Sequence, residues 1–226
     1  MKTLFERYEI VIDDEKIDLF DKYYRLLVSY NEKFNLTAIT EKEEVYVKHF
    51  IDSIIGCGKL KQGKLIDIGS GGGFPAIPLK IMCPDIEVTL LEATGKKCEF
   101  LNTVIKELNL TNIKVINNRA EELAFNSIHR ESYDYCSARA VARLNILCEY
   151  CLPFVKTGGT FISYKGDAEE ELNEGLSAIK TLGGKVEEVN NYTLNGAKRA
   201  LIYIKKVKNT ENKYPRANGK IRKKPL

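Results

Sequence analysis

Between Lys64 and Leu79 the chain reads KLIDIGSGGGFPAIPL, an apolar run followed at once by a glycine cluster and two prolines. Leu65, Ile66 and Ile68 form a short strand pattern of the fully buried kind. Four of the sixteen glycines, Gly69, Gly71, Gly72 and Gly73, fall within five residues of one another, stripping side chains from the place where a ligand could meet backbone. Pro75 suits a first helical position. Pro78 is tolerated in the same turn, because the first four N–H groups of a helix have no intrahelical partner to lose. The stretch therefore predicts a strand, a tight loop and a helix start that presents open N–H groups.

The residues around the loop discriminate among ligands. A phosphate-cradling NTPase loop needs Lys and then Ser or Thr directly after its last glycine, and Phe74 and Pro75 stand there instead. The spacing Gly71, Gly73, Ala76 does satisfy the dinucleotide pattern G-x-G-x-x-A. Against a pyrophosphate stands Asp67, an anion at the strand end, which suits the ammonium and sulfonium of S-adenosylmethionine. The order Asp67-x-Gly69-x-Gly71 resembles that of class I methyltransferases. Glu92 closes the next strand-like run, Glu87–Leu91, about 20 residues past the loop, where a carboxylate can accept ribose hydroxyls.

A chain of 226 residues with 44% apolar residues can bury a sizeable core. Neither a signal-peptide h-region nor a membrane-spanning run is present, so a cytoplasmic location and no membrane partner are expected. The six cysteines (57, 83, 98, 136, 148 and 151) lie in apolar or helical patterns and read as reduced core thiols. With one close pair, Cys148 and Cys151, and only two histidines, no metal site is expected. The net charge of +4 is unevenly placed: from Lys205 onward nine Lys or Arg face one acid, Glu211, which leaves the rest of the chain at −4. A basic edge on an acidic body suggests contact with a polyanion such as nucleic acid. On charge alone a solubilising tail fits as well.

In chain order, Ile17, Phe20, Tyr24 and Leu27 predict an amphipathic helix over 14–31. Thr40 with Glu43 reads as a capping box for a second helix carrying Val47, Phe50, Ile51 and Ile54. His49 and Asp52 on that helix read as partly buried groups tying the helices to the next domain. From residue 64 strands and helices alternate: strands at 64–68, 87–92, 113–117, 133–138 and 159–164, helices near 75–82, 96–108, 121–124, 141–152 and 168–182. Two further strands, Lys185–Tyr192 and Ala200–Val207, flank the turn Leu194-Asn195-Gly196-Ala197 and read as a closing hairpin. The expected architecture is an α/β, Rossmann-like fold of class I methyltransferase type, a seven-stranded, mostly parallel sheet behind an N-terminal helical extension. We expect three parts: extension 1–58, core 59–207 and basic tail 208–226.

Ligands of such sheets bind beyond the carboxyl ends of the strands. That points to Gly69 to Phe74, to Glu92, to Ala120 and Glu121 after the third strand, and to Arg139 after the fourth. Ala120 with Glu121 could receive an adenine. Arg139 and Arg143, and Lys165 after the fifth strand, suit a phosphate or the O6/N7 edge of guanine. Helix-start arginines paired with Glu149 or another surface acid are the competing reading. An exocyclic-amine methylase would favour an Asp-Pro-Pro-Tyr-type turn where Ser137-Ala138-Arg139-Ala140 stands.

The segments NEKFNLTAIT, KHFIDS, LIDIGSGGGFPAIPL, LLEATGKKCEFL, NRAEEL, SARAVARL, YKG and YPRANGKIRKKPL together resemble the bacterial small-subunit rRNA guanine-N7 methyltransferase family, also called glucose-inhibited division protein B. The resemblance implies S-adenosylmethionine bound at Gly69, Phe74, Ala120, Glu121 and Arg139; the reading of the loop and strand ends adds Asp67, Gly71 and Glu92 to the cofactor set. It also implies methylation of a guanine in the 530 loop of 16S rRNA, free or within the small ribosomal subunit, by an enzyme expected to be a monomer. Arg139, Arg143 and Lys165 are the residues expected to orient the RNA, with the basic tail gripping phosphates. The chain departs from the family's usual pattern in having Glu92 where aspartate is frequent and Ala120 where bulkier residues occur. A binding module of the same fold without catalysis would need none of Asp67, Gly69, Gly71 and Glu92.

Overall fold

The computed structural model describes residues 1–226, apart from the side chain of Phe34. Seven strands form one sheet in the order β3-β2-β1-β4-β5-β7-β6. They are β1 (Lys64–Ile68), β2 (Glu87–Glu92), β3 (Ile113–Asn117), β4 (Tyr133–Arg139), β5 (Val155–Lys165), β6 (Gly184–Leu194) and β7 (Ala197–Lys206). The first five pair in parallel, while β7 runs antiparallel to both β5 and β6. The strand order reverses beside β1, so a crevice opens between the ends of β1 and β4, where such sheets receive ligands.

The centre of the sheet is buried on both faces because its strands send apolar side chains to either side. Ile66 and Ile68 of β1 join one core with Leu147, Phe154, Phe161 and Ile202. Leu65 joins the other, with Phe20, Tyr23, Phe50, Ile77 and Phe100. Asp67 therefore points, by the two-residue period of a strand, towards the N-terminal helices.

Those helices are α1 (Lys2–Arg7), α2 (Asp14–Phe34), α3 (Lys42–Val45) and α4 (Asp52–Ile54), with a π-helical turn over Tyr46–Ile51 and a 3-10 turn over Ile55–Lys59. The short α1 has no counterpart in the sequence reading. Asp13 caps α2 by accepting from the Lys16 N–H at 2.8 Å. Its buried stripe runs through Phe20, Tyr23 and Leu27, not Tyr24. Tyr24 lies at the rim and donates to the Thr40 carbonyl. The capping box expected at Thr40 and Glu43 is absent: Glu41 caps α3, accepting from the Glu43 and Glu44 N–H groups. A longer acid one position on reaches both orphan donors, which the Thr hydroxyl does not.

The remaining helices are α5 (Ala76–Met82), α6 (Gly95–Glu107), α7 (Ala120–Leu123), α8 (Leu144–Cys151), α9 (Glu169–Thr181) and α10 (Asn218–Lys223). Pro75 caps α5 instead of starting it. The helix expected from 141 starts only at Leu144, because Ala140 takes a left-handed φ of 57° and turns the chain first. β5 begins at Val155, four residues early, with a register irregularity against β4. Asn195 and Gly196 turn the terminal hairpin with φ of 48° and 75°, the twist a two-residue hairpin turn requires. Among the described residues no helix is long and apolar enough to cross a membrane.

Candidate active site at the carboxyl ends of the strands

The loop after β1 is held from below: Gly69 and Ser70 N–H groups both donate to the Leu91 carbonyl, at 2.8 and 3.2 Å. Gly73 needs to be glycine twice over. Its φ is +92°, and a Cβ there would lie 2.5 Å from the Tyr23 hydroxyl and 2.6 Å from Ile77. Tyr23 in turn donates to the Gly72 carbonyl, so α2 clasps the loop. Gly71 has left-handed backbone, where a Cβ would meet only the Gly69 carbonyl oxygen at 3.7 Å, and its N–H donates to Glu92 Oε2 at 3.0 Å. Glu92 Oε1 accepts the Thr94 N–H at 2.8 Å. Each carboxylate oxygen keeps a lone pair for a further donor.

Asp67 is fully buried beneath this loop. Oδ1 accepts from Ser137 Oγ at 2.6 Å, whereas Oδ2 has no partner. Burial pushes its carboxyl up to about 7, against the opposing pull of the Ser137 hydrogen bond and the Arg139 charge. An orphaned acceptor of this kind is costly unless a cation or donor comes to it.

The mouth has two ends. At one, Gly69, Glu92, Ala120, Glu121 and Val141 line a cavity above β2 and β3. At the other, Phe74 packs against Tyr23 and His49, with ring centroids 5.5 and 4.6 Å away, and the Arg139 guanidinium lies 5.1 Å from its centroid. Phe74 and Arg139 therefore sit together, apart from Ala120 and Glu121. Arg139 pairs with buried Asp52 (Nη1 to Oδ2, 2.8 Å), donates to the Lys48 carbonyl at 3.2 Å, and brings Nη2 to 3.2 Å from His49 Nδ1. Nδ1 also lies 3.1 Å from the Lys48 carbonyl, and Nε2 lies 2.8 Å from the Thr37 hydroxyl, so both ring nitrogens are engaged. Burial, then the Arg139 charge, pushes His49 down to about 4, so the imidazole is neutral. Asp52 also accepts from Tyr192 and faces Arg199, which joins the terminal hairpin to the same cluster.

The other two expected cations are turned elsewhere. Arg143 bonds Glu174 through Nε and Nη2 at 3.0 and 2.7 Å, on the exposed side of α9. Lys165 donates to the Ala142 carbonyl and to Glu171, both at 2.6 Å. Glu149, weighed as a partner for the helix-start arginines, takes Arg216 of the tail instead. The fully buried carboxylate accepts the Arg216 backbone N–H at 2.7 Å, Nε at 2.9 Å and Nη2 at 2.7 Å. Buried Lys206 is likewise engaged, by the Leu152 carbonyl, Thr210 and Glu131. Of the nine cations from Lys205 onward, Lys206 at the end of β7 and Arg216 in the tail thus stitch the tail to the body, while Lys208, Lys220, Lys223 and Lys224 stay on the accessible side.

The sequence reading missed that this tail returns to the mouth. Tyr150, Asn218 and Arg222 complete the wall of the Ala120 cavity. The available signal was the apolar Ile221 among basic residues, which is fully buried against the body.

The strand order 3-2-1-4-5-7-6, the glycine loop after β1 and the acid after β2 define a class I, S-adenosylmethionine-dependent methyltransferase. Solved structures show the same fold. TYW2 of M. jannaschii, solved with AdoMet, superposes with a TM-score of 0.59 at 14% identity, over 75% of this chain and 80% of that one. P. horikoshii TYW2 solved with MeSAdo gives 0.57 at 14% identity, over 69% and 61%. Residues 16–202 match the family described as GidB, rRNA small subunit methyltransferase G, and the chain belongs to that family. Curated relatives named ribosomal RNA small subunit methyltransferase G include that of Acetivibrio thermocellus, 47% identical over 97% of this chain and 92% of the relative. That of Alkaliphilus metalliredigens is 49% identical over 95% and 92%.

Proposed function

We propose that this enzyme transfers a methyl group from S-adenosylmethionine to N7 of a guanine in the 530 loop of 16S rRNA, acting in the cytoplasm as a single chain. The observation that carries the reading is the acid pair flanking the glycine loop: Asp67 with an unpartnered buried oxygen, and Glu92 bonded to the Gly71 N–H. The residues fit the cofactor. The donor's cationic amino-acid end suits the orphaned acceptor, and its ribose suits Glu92.

When bound, S-adenosylmethionine supplies a methyl activated by its sulfonium. Guanine N7 has a lone pair and no proton, so the transfer calls for no general base. The site agrees with that chemistry: His49 is held neutral with both ring nitrogens engaged, and Asp52 is saturated by Arg139 and Tyr192. What these residues contribute is alignment, which can be worth about 7–11 kcal/mol at its upper range. In the reading, Arg139 orients the base beside Phe74. Arg143 and Lys165 serve the RNA only after exchanging Glu174 and Glu171 for phosphate, and the accessible tail lysines meet the backbone.

The test is to incubate the protein and donor with naked 16S rRNA and, separately, with unmethylated small subunits, then map 7-methylguanine by chemical scission and primer extension. A single new stop in the 530 loop is expected. Transfer to a different base, or to no base in either substrate, would overturn the proposal. An Arg139→Ala variant that keeps both cofactor affinity and transfer would remove Arg139 from the site.

A further inference from the structure

We propose that the C-terminal helix α10 recognises the nucleobase of the methyl donor through the side-chain amide of Asn218, an inference that rests on the donor binding at this mouth. Asn218 lies in the wall of the cavity formed by Gly69, Glu92 and Ala120. Its Oδ1 accepts from the Tyr150 hydroxyl at 2.5 Å and from Arg222 Nε at 3.2 Å. Arg222 can only donate, so the atom facing it is the oxygen and the orientation of the amide follows. The NH2 group is the unused half: among the described residues it donates to no side chain in the cavity wall.

Adenine offers ring-nitrogen acceptors along its edges, and a protein reads an acceptor with a donor. Much of the cavity wall cannot supply one. Leu91, Ala120 and Val141 present apolar side chains, and the carboxylates of Glu92 and Glu121 accept only. The other side-chain donors in the wall are Tyr150 and Arg222, whose hydroxyl and Nε are spent on Asn218 itself, the exposed Arg119 guanidinium, and the Asn118 amide, whose oxygen is tied only to the adjacent Arg119 N–H in an exposed turn. Asn218 is held from two directions, by buried Tyr150 on α8 and by the next turn of its own helix.

The helix that carries it is anchored before any ligand arrives. The Arg216–Glu149 pair is buried, Ile221 has no exposed surface, and Arg130 donates to the Thr210 and Tyr214 carbonyls on the approach to the helix. A donor placed on so fixed a support loses little entropy when it engages, which is what preorganisation contributes to affinity.

The experiment uses the full chain and titration calorimetry with two probes, S-adenosylhomocysteine and adenosine, on the wild type, Asn218→Asp and Asn218→Ala. Aspartate retains an oxygen for Tyr150 and Arg222 but has no N–H to give. We expect both variants to raise Kd for both probes by a similar factor, about 5–10-fold, the loss of one neutral hydrogen bond. The unliganded Tm of Asn218→Asp should stay that of the wild type. Kd values within about twofold of the wild type in Asn218→Asp, or a loss confined to S-adenosylhomocysteine, would overturn the assignment. So would a loss accompanied by a fall in Tm, since the amide would then merely hold the tail. Failure of the wild type to bind S-adenosylhomocysteine would instead sink the donor site itself.

Discussion

Replacing Asp67 with asparagine isolates the energetic cost of the buried acid. In the folded protein its carboxyl stands at about 7, against an ordinary 3.8, chiefly because burial penalises the anion. A folded-state value above the unfolded one means that the native protein holds the proton more tightly. Below about pH 4 both states are protonated and the group costs nothing; as pH rises from 4 to 7 the unfolded state releases its proton first, and native stability falls. At 1.36 kcal/mol per unit the full penalty above pH 7 is about 4 kcal/mol. Asparagine mimics the neutral acid, keeps an oxygen for Ser137 and cannot ionise. The unliganded Asp67→Asn protein is therefore expected to match the wild type near pH 4 and exceed it by up to about 4 kcal/mol at pH 8, while losing affinity for the cationic donor. Urea unfolding at several pH values reads the difference directly, and His49, whose value is depressed, cancels because both proteins carry it. A stability difference that does not change between pH 4 and 8 would refute the reasoning.

Two further perturbations probe what holds the mouth in place. Arg216→Met leaves the Glu149 carboxylate buried without its partner, and should cost about 3–5 kcal/mol by denaturant unfolding, with most of it recovered when Glu149→Leu is added. A single variant as stable as the wild type would show that the tail is not stapled by this pair. Gly73→Ala forces a Cβ against Tyr23 and Ile77 at left-handed φ and should lose about 2–4 kcal/mol together with donor affinity. Gly95→Ala, in open space with ordinary backbone, should be neutral or stabilising by up to about 1 kcal/mol, and equal losses at both glycines would count against the clash.

The sheet was legible in the sequence because each parallel strand carries a short, mostly apolar core, such as Leu65, Ile66 and Ile68 in β1 or Leu90 and Leu91 in β2, and the longer crossover helices have their own periodicity. The glycine loop and its flanking acids were legible for a related reason: left-handed backbone and a strand-end carboxylate are written locally, in Gly71, Gly73, Asp67 and Glu92. Local signals also misled. Thr40 and Glu43 satisfy a capping pattern that Glu41 preempts, and helical spacing does not say which of two adjacent tyrosines, Tyr23 or Tyr24, faces the core.

What the sequence by itself determined is thus the class of fold and the half of the site that comes from consecutive residues. The pairings across distance were settled only by tertiary structure: Arg139 with Asp52 and His49, Glu149 with Arg216, and the return of α10 to the cavity beside Ala120. The physical reason is that a charge in a sequence carries no direction. Whether an arginine meets RNA, a neighbouring helix or a buried acid depends on which groups the folded chain has removed from water around it, because the cost of desolvating an unpaired charge selects its partner.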